Sequence, residues 1–375
     1  MPSNFVCGTS LCTACGACAD SCPFDALVMR ETADGPIPMV IADRCKSCGR
    51  CHSVCPTLNL INLRKPLKTY AAWSCNQDDI ERSSSGGMAS ALSRMIIEQG
   101  GVVFGSTSCE GEARCIAVMD DAGLERLRGS KYVYSSPNGS FKKVRELLAK
   151  RQTVLFVSTP CQVAALRSFL GGKEEGLLCA DLICHGTPSM SFLKEHLDSA
   201  VQKTWDSFSF RGFRDFRLCA YEGARLVYDK PCFEDEYFSA FEAGIIHRNV
   251  CYECPYARNE RSGDLTLGDF WGLDKESLHS TPPGKVSLVL ANTRKGINAL
   301  ETLPASVVLE EREFCEADNE KQTNLHSPSP QTKDRFRFIA AYEKSGFNAA
   351  VRKTFAWRRF RLRMVKHKLI SIFRK

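Results

Sequence analysis

The segment CTACGACADSCP, residues 12–23, recurs in form as CKSCGRCHSVCP, residues 45–56. Each run sets four cysteines at the same intervals: Cys12, Cys15, Cys18 and Cys22 before Pro23, then Cys45, Cys48, Cys51 and Cys55 before Pro56. Closely spaced thiolates on a tight loop can hold three corners of one iron–sulfur cubane. In bacterial two-cluster ferredoxins the fourth cysteine of each run ligates the other cluster. The spacing therefore predicts two 4Fe-4S clusters, one on Cys12, Cys15, Cys18 and Cys55, the other on Cys45, Cys48, Cys51 and Cys22. Zinc is the competing use, but zinc sites rarely arrange cysteines in this doubled run. Clusters of this kind pass single electrons, so residues 1–66 read as an electron wire. Cys7 lies outside the pattern and reads as a bystander. The spacer PFDALVMRETADGPIPMVIADR reads as a short helix, a hairpin and a strand.

The chain has 375 residues and 20 cysteines. It is too long for a small disulfide scaffold. Its beginning, MPSNFVCGTSLC, lacks a basic-then-apolar leader. No apolar run approaches the roughly 18 residues of a spanning helix. The expectation is a reducing, cytoplasmic protein whose cysteines bind metal or are buried.

Beyond a linker near residues 58–68 the pattern changes. SSSGGMASALSRMIIEQG places Met88, Ala91, Leu92, Met95 and Ile96 on one helical face, with serines to cap it and Gly100 to stop it. GVVFGS, TVLFVSTP, GLLCADLICHG and KVSLVLANT read as strands; SFKKVRELLAKRQ, CQVAALRSFLGG, SMSFLKEHLDSAVQ and RKGINALETL read as helices between or after them. TWDSFSFRGF and ARLVYDK look antiparallel. The alternation predicts an α/β domain (α+β mixed overall) with a mostly parallel central sheet, over residues 67–325.

Ligands in such sheets gather at the carboxyl ends of strands. Two strands end there with cysteines, at Thr159-Pro160-Cys161 and at Cys184-His185-Gly186. Were those strands neighbours, their sulfurs would approach, and Cys251 with Cys254 in CYECPYARNERSGDLTLGDFWG would make four thiolates. Burial as small apolar side chains is the plainer fate of Cys161 and Cys184. SSSGG offers Ser84, Ser85, Gly86 and Gly87 at a helix start suited to phosphate, or to ordinary capping. GSKY, Gly129, Ser130, Lys131 and Tyr132, sets a lysine beside a glycine turn. Asp264 and Asp269 bracket Gly268, where a carboxylate fixes the loop or accepts a ribose bond. His185 is a candidate proton relay, and a structural role competes.

SSSGGMASAL, GSKYVYS, VLFVSTPCQVAALRSFL, LICHGTPS and CYECPYARNERSGDLTLGDFWGL occur in order. Together they resemble the family of coenzyme F-420 hydrogenase/dehydrogenase beta subunits, over roughly residues 70–320. The resemblance implies an FAD-binding fold with a further iron–sulfur cluster, matching Cys161, Cys184, Cys251 and Cys254. It implies FAD contacts at Ser84, Ser85, Gly86, Gly87, Gly129, Ser130, Lys131, Tyr132, Thr159, Gly268 and Asp269. The weak catalytic candidates are His185 and Lys131. A basic strand of the family is matched only loosely by FSFRGFRDFRLC. The chain looks most like the bacterial branch, whose relatives include proteins linked to surface-polysaccharide synthesis; use of the deazaflavin coenzyme does not follow.

Net charge is +7, yet residues 352–375 hold ten Lys/Arg and no Asp/Glu, which leaves the rest mildly acidic. In AAVRKTFAWRRFRLRMVKHKLISIFRK, basic residues interleave with Phe355, Trp357, Phe360, Leu362, Met364, Leu369, Ile370, Ile372 and Phe373. Residues 326–375 are therefore expected as a basic amphipathic tail, peripheral at the inner membrane face, packed on a partner or the protein's own body, or free. Nucleic acid is not expected, because no reading module accompanies the charge. The expected activity is an iron–sulfur flavoprotein oxidoreductase linking a ferredoxin-like carrier or redox subunit to a small-molecule hydride donor or acceptor. The rival is a non-catalytic electron-transfer subunit docking a separate enzyme at a membrane surface.

Overall fold

The computed structural model describes residues 5–137, 139–201, 203–211 and 215–362. The N-terminal region carries an antiparallel hairpin, β1 (Leu27–Arg30) and β2 (Ile37–Val40), flanked by short helices at Ala17–Ser21 and Arg50–Ser53. The helix expected after the first run is instead a turn through Pro23 and Phe24, followed by Asp25 at φ 45°. A chain reversing over so few residues has no room for a helical turn.

The body then lays down β3 (Lys68–Ser74), β4 (Val102–Cys109), β5 (Glu112–Val118), β6 (Val154–Ser158) and β7 (Leu177–Leu182). A separate antiparallel sheet follows, from β8 (Ser207–Arg211), β9 (Phe216–Glu222) and β10 (Arg225–Pro231), and the chain returns with β11 (Leu265–Asp269), β12 (Ser287–Ala291) and β13 (Val307–Arg312). The main sheet has the order β13-β3-β12-β11-β7-β6-β4-β5. The pairs β4–β6, β6–β7 and β7–β11 are parallel, whereas β11–β12, β12–β3, β3–β13 and β4–β5 are antiparallel. The mostly parallel sheet expected from alternation is therefore corrected to a mixed one. One cause is local: Glu110 and Gly111, at φ 53° and 67°, form the left-handed two-residue turn that suits a hairpin, so β5 folds straight back on β4.

The helix Met88–Glu98 buries Met88, Ala91, Leu92, Met95 and Ile96, as its period requires. Its cap departs from expectation. Gly87, at φ 84°, holds the cap position without a side-chain bond. The serines turn elsewhere: Ser84 Oγ accepts from the Ser130 amide at 2.8 Å, and Ser85 donates to the Val286 carbonyl at 3.2 Å.

The N-terminal region does not stand apart. Cys15 and Ala17 share a hydrophobic core with Phe104, Phe141, Phe156 and Val163 on one face of the main sheet. Tyr134 donates to the Ala14 carbonyl at 2.8 Å, and Asp20 accepts from the amides of Phe141 and Lys142. Nor is the stretch from residue 326 a detached tail in its described part. Helices at Lys333–Ser345 and Phe347–Arg352 place Phe338, Phe347 and Val351, with Ala356 just beyond them, in the core beneath the three-stranded sheet. Each large apolar side chain so buried contributes about 1.5–3 kcal/mol, enough to hold the segment on the body. Met364, Leu369, Ile370, Ile372 and Phe373 lie outside the described residues. Among the described residues no helix is long and apolar enough to cross a membrane.

Candidate functional site

The two cysteine runs fold into matching loops. Ala14 and Ser47 have φ 55° and 51°, and Gly16 and Gly49 have φ 78° and 75°. These left-handed residues turn backbone N–H groups toward sulfur: the Ala14 amide lies 3.4 Å from Cys12 Sγ and the Ser47 amide 3.4 Å from Cys45 Sγ. The cross-over of the fourth cysteines is also present. Burial pushes the Cys18 thiol up, and the neighbouring thiols of Cys15, Cys12 and Cys55 push it further. Cys51 is raised by burial and by the nearby Cys22 and Cys45. Cys12, Cys15 and Cys55 thus lie near Cys18, and Cys22 and Cys45 near Cys51. Cys7, read as a bystander, lies against Cys12 and Cys55 and lines the same small cavity as the inner set. Its isolation in the sequence gave no signal of this.

A third gathering occurs at the carboxyl end of two central strands. β6 and β7 are adjacent and parallel, with Ser158 opposite Asp181. Cys161, in the first turn of the helix Pro160–Leu170, and Cys184, just beyond β7, therefore share one end of the sheet. The 3-10 turn Asn249–Glu253 and the residue after it bring in Cys251 and Cys254. Burial pushes the Cys184 thiol well above its ordinary value, and Cys251, Cys161 and Cys254 each add to that push. Cys254 is pushed up to about 12 by burial first and then by Cys161. Buried thiols that oppose one another's ionisation suit a cationic metal core, which stabilises the thiolates. A single tetrahedral zinc is the poorer match. Its 2.3 Å bonds would hold sulfurs about 3.8 Å apart, whereas no three cysteines among the described residues converge within 4.8 Å. The third set neighbours the inner one: Cys161 acts on the Cys15 thiol, and Tyr256 feels Cys161, Cys15, Cys254 and Cys55.

Beside these cysteines opens a cavity of about 670 Å³. Thr13 of the inner loop borders it, as do Cys161, Cys184 and His185. Of the positions expected to hold a flavin, Ser84, Ser85, Gly87, Gly129, Ser130, Lys131, Tyr132, Thr159, Gly268 and Asp269 line this one space. Gly86 does not; it is packed against β3 and β12, where a Cβ would come within 2.5 Å of the Ala72 carbonyl oxygen. The residues fit a flavin dinucleotide in two respects. The volume lies within the about 300–1,000 Å³ of ligand sites. Met88 and Ala89 present a helix start with no capping side chain, open to a phosphate.

The two catalytic candidates are tied down. Lys131 Nζ donates to the carbonyls of Leu127, Arg128 and Gly129 at 3.0, 2.8 and 3.1 Å, and burial pushes its amine down to about 7. His185 has Asn324 Oδ1 3.1 Å from Nδ1 and the Glu242 carbonyl 3.3 Å from Nε2. Asp264 is a buried loop anchor, 3.0 Å from Arg167 Nη2 and accepting from the Cys179 amide at 2.9 Å. Asp269 instead faces the cavity and pairs with Arg211 at 2.8 Å. Arg211 also donates to Tyr132 Oη at 2.7 Å and lies over the Phe216 ring at 3.6 Å. Arg211 and Phe216 belong to the loosely matching FSFRGFRDFRLC stretch, so the signal was present but unspecific. Gln162, which donates to the Ser135 carbonyl at 2.8 Å on the cavity wall, had no signal.

Matched ferredoxin-type cysteine loops, joined to a mixed α/β body by shared core, define an iron–sulfur protein of the electron-transfer class. Residues 151–316 match the family described as the carboxyl terminus of the coenzyme F420 hydrogenase/dehydrogenase beta subunit, and residues 11–59 match a 4Fe-4S dicluster domain. The chain is homologous to one subunit of the F(420)H(2) dehydrogenase of Methanosarcina mazei, 27% identical over 192 residues, or 47% of this chain and 55% of that protein. It also matches the uncharacterized protein MJ1349 of Methanocaldococcus jannaschii, 22% identical over 240 residues, 53% of this chain and 66% of the relative. The chain thus spans between half and two thirds of the length of these relatives. A chain of the F420-reducing NiFe hydrogenase complex from Methanosarcina barkeri aligns with TM-score 0.46 and 16% identity, covering 76% of this chain and 97% of that one.

Proposed function

We propose that this chain is an iron–sulfur flavoprotein that passes electrons between a ferredoxin-like carrier or redox subunit and a small-molecule hydride donor or acceptor. The observation that carries this reading is the single cavity bordered by Thr13, by Cys161 and Cys184, and by the uncapped helix start at Met88. When bound, the clusters supply one-electron steps and the flavin couples a pair of them to hydride transfer. Cys161 and Cys184 border the cavity; with Cys251 and Cys254 they would hold the cluster beside it, Cys12, Cys15, Cys18 and Cys55 would hold the next, and Cys45, Cys48, Cys51 and Cys22 the more exposed one. Ser84, Ser130 and the amides at Met88 and Ala89 would hold phosphate. Tyr132, Phe238 and Phe241 supply an apolar aromatic wall, with Tyr132 stacked on Phe241 at 4.8 Å between ring centroids. Arg211, fixed by Asp269 and Tyr132, offers positive charge to a substrate.

Iron, acid-labile sulfide and flavin per chain, measured on anaerobically purified protein, test the reading. The wild type is expected to carry about twelve irons and one FAD, and a Cys251→Ser/Cys254→Ser variant about eight irons. Equal iron in both proteins removes the third cluster. Absence of flavin as well leaves the electron-transfer subunit without its own catalysis.

A further inference from the structure

The two N-terminal cysteine sets differ in access. Cys12, Cys15, Cys18 and Cys55 are buried, whereas Cys48 is exposed and Cys22, Cys45 and Cys51 are half-buried. The segment around the outer set, RCKSCGRCH at 44–52, contains Arg44, Lys46, Arg50 and His52 and no acidic residue. All four are exposed, and the side chains of Arg44, Lys46 and Arg50 form no ion pair among the described residues. Asp43 borders the segment. Asp25, beyond the Cys22 turn, lies 3.9 Å from Lys142. Apolar side chains flank the charge: Phe24, Leu58 and Leu60 are 43%, 49% and 74% exposed. Asn59 Nδ2 donates to the His52 carbonyl at 2.7 Å and so ties the Leu58–Leu60 loop to the end of the Arg50–Ser53 helix.

The geometry points to this face as the docking surface for an acidic one-electron carrier protein. The inference rests on the proposed function, whose electron wire needs an entry, and it names that entry and its charge. Unpaired cations around an accessible centre attract a negative partner and orient it on approach. The exposed apolar side chains beside them supply a small, reversible contact, as redox encounters require. Residues 1–351 carry a slight excess of acidic groups, against which the unpaired cations of 44–52 stand out; the basic residues of 352–375 are left intact in the variants, so their pull on the carrier is common to all the proteins compared. In the step itself, one electron would leave the reduced carrier, oxidising it by one unit, and pass to the cluster that Cys45, Cys48, Cys51 and Cys22 would hold, reducing it by one unit. No bond is made or broken and no proton moves.

The test titrates the anaerobically purified holoprotein with a strongly acidic bacterial two-cluster ferredoxin. Binding is read by calorimetry with both proteins oxidised, and reduction by the prereduced ferredoxin is read by stopped-flow absorbance. Arg44→Glu/Lys46→Glu/Arg50→Glu is expected to weaken binding and slow reduction about tenfold or more. Rising salt should slow the wild type more than the variant, while iron content and reduction by dithionite stay unchanged. The neutral triple glutamine variant should fall between, and it serves in place of the charge-reversed one if that protein loses iron. Wild-type binding and reduction that ignore salt and all three substitutions would overturn the docking face yet leave the clusters in place. So would a ferredoxin that neither binds nor reduces the wild type. A wild type without iron would overturn the face and the proposed function together.

Discussion

Arg248 Nη2 donates to the carbonyl of Cys12 at 3.0 Å, so a guanidinium from the body rests on the loop that carries the inner cysteine set. The same side chain reaches the carbonyls of Thr13 at 2.9 Å and Asp34 at 2.7 Å, and it is almost fully buried. Three residues further along the chain comes Cys251. One cation thereby fixes the N-terminal region against the turn that brings in the third cysteine set.

Arg248→Met keeps the bulk and removes the donors. Each orphaned buried carbonyl costs about 1–3 kcal/mol, so a loss of about 3 kcal/mol or more is expected. Limited proteolysis should cut the exposed stretch at Leu58–Leu60 faster than in the wild type. Arg248→Lys should rescue little, because a point charge cannot span three acceptors as a planar fork does.

Cys7 gives a second expectation. Hydrogen bonding with Cys12 and Cys55 pushes its thiol up, and its one S–H can donate to either of the two sulfurs. Donors to cluster sulfurs favour the reduced state. Cys7→Ala is expected to keep wild-type iron content and to shift one cluster to a more negative potential in an electron-paramagnetic-resonance titration. An unchanged potential would return Cys7 to the role of bystander.

Ser84→Asp places a carboxylate where phosphate is proposed to lie, while keeping an acceptor for the Ser130 amide. Flavin affinity should fall about tenfold, a like-charge cost of about 1.4 kcal/mol, and Ser84→Ala should change it less. Flavin fluorescence released on denaturation, against constant iron, measures both.

The buried pair His196–Asp235 sets a pH dependence of stability. Nε2 lies 2.9 Å from Asp235 Oδ2 and Nδ1 lies 2.6 Å from Asn348 Oδ1, so both ring nitrogens are committed, and the trio with Glu236 is a hydrogen-bond network rather than an open metal site. Burial would lower the His196 pKa, but Asp235, Asn348 and Glu236 together outweigh it and leave it raised. Burial would raise Asp235, but His196, Tyr228 and the Phe238 amide outweigh it and leave it lowered. The histidine part is fully present below its unfolded pKa of about 6.5 and is lost as pH rises through the raised folded value. The aspartate part is present above about 3.9 and is lost as pH falls through the depressed one. His196→Gln should cost about 3–5 kcal/mol at neutral pH. It should also flatten the alkaline decline of the thermal midpoint, compared with wild type at the same cluster content.

The doubled cysteine runs were legible because their ligands are set by local spacing. So were the helix Met88–Glu98 and strands β6 and β7, whose periods are self-contained. The meeting of Cys161 and Cys184 was legible only as a condition, since it depends on β6 lying beside β7. The antiparallel additions of β3, β12 and β13 were not legible, because strands far apart in sequence carry no mark of their pairing direction. The segment from Lys333 left its destination open for a different reason. An apolar stripe beside basic residues looks the same whether it meets a bilayer or, as for Phe338 and Phe347, its own protein.

The two cysteine loops share donor atoms and left-handed turns, yet one faces water and the other faces protein. They form a matched pair in which coordination is held constant and only the medium varies. Water stabilises an added negative charge more than a low-dielectric interior does, so electron uptake at the inner position depends more heavily on fixed partners such as Arg248. The duplication therefore acts as an internal control on outer-sphere tuning: exchanging what surrounds the loops, with every ligand left in place, is the operation that would reorder their affinities for an electron.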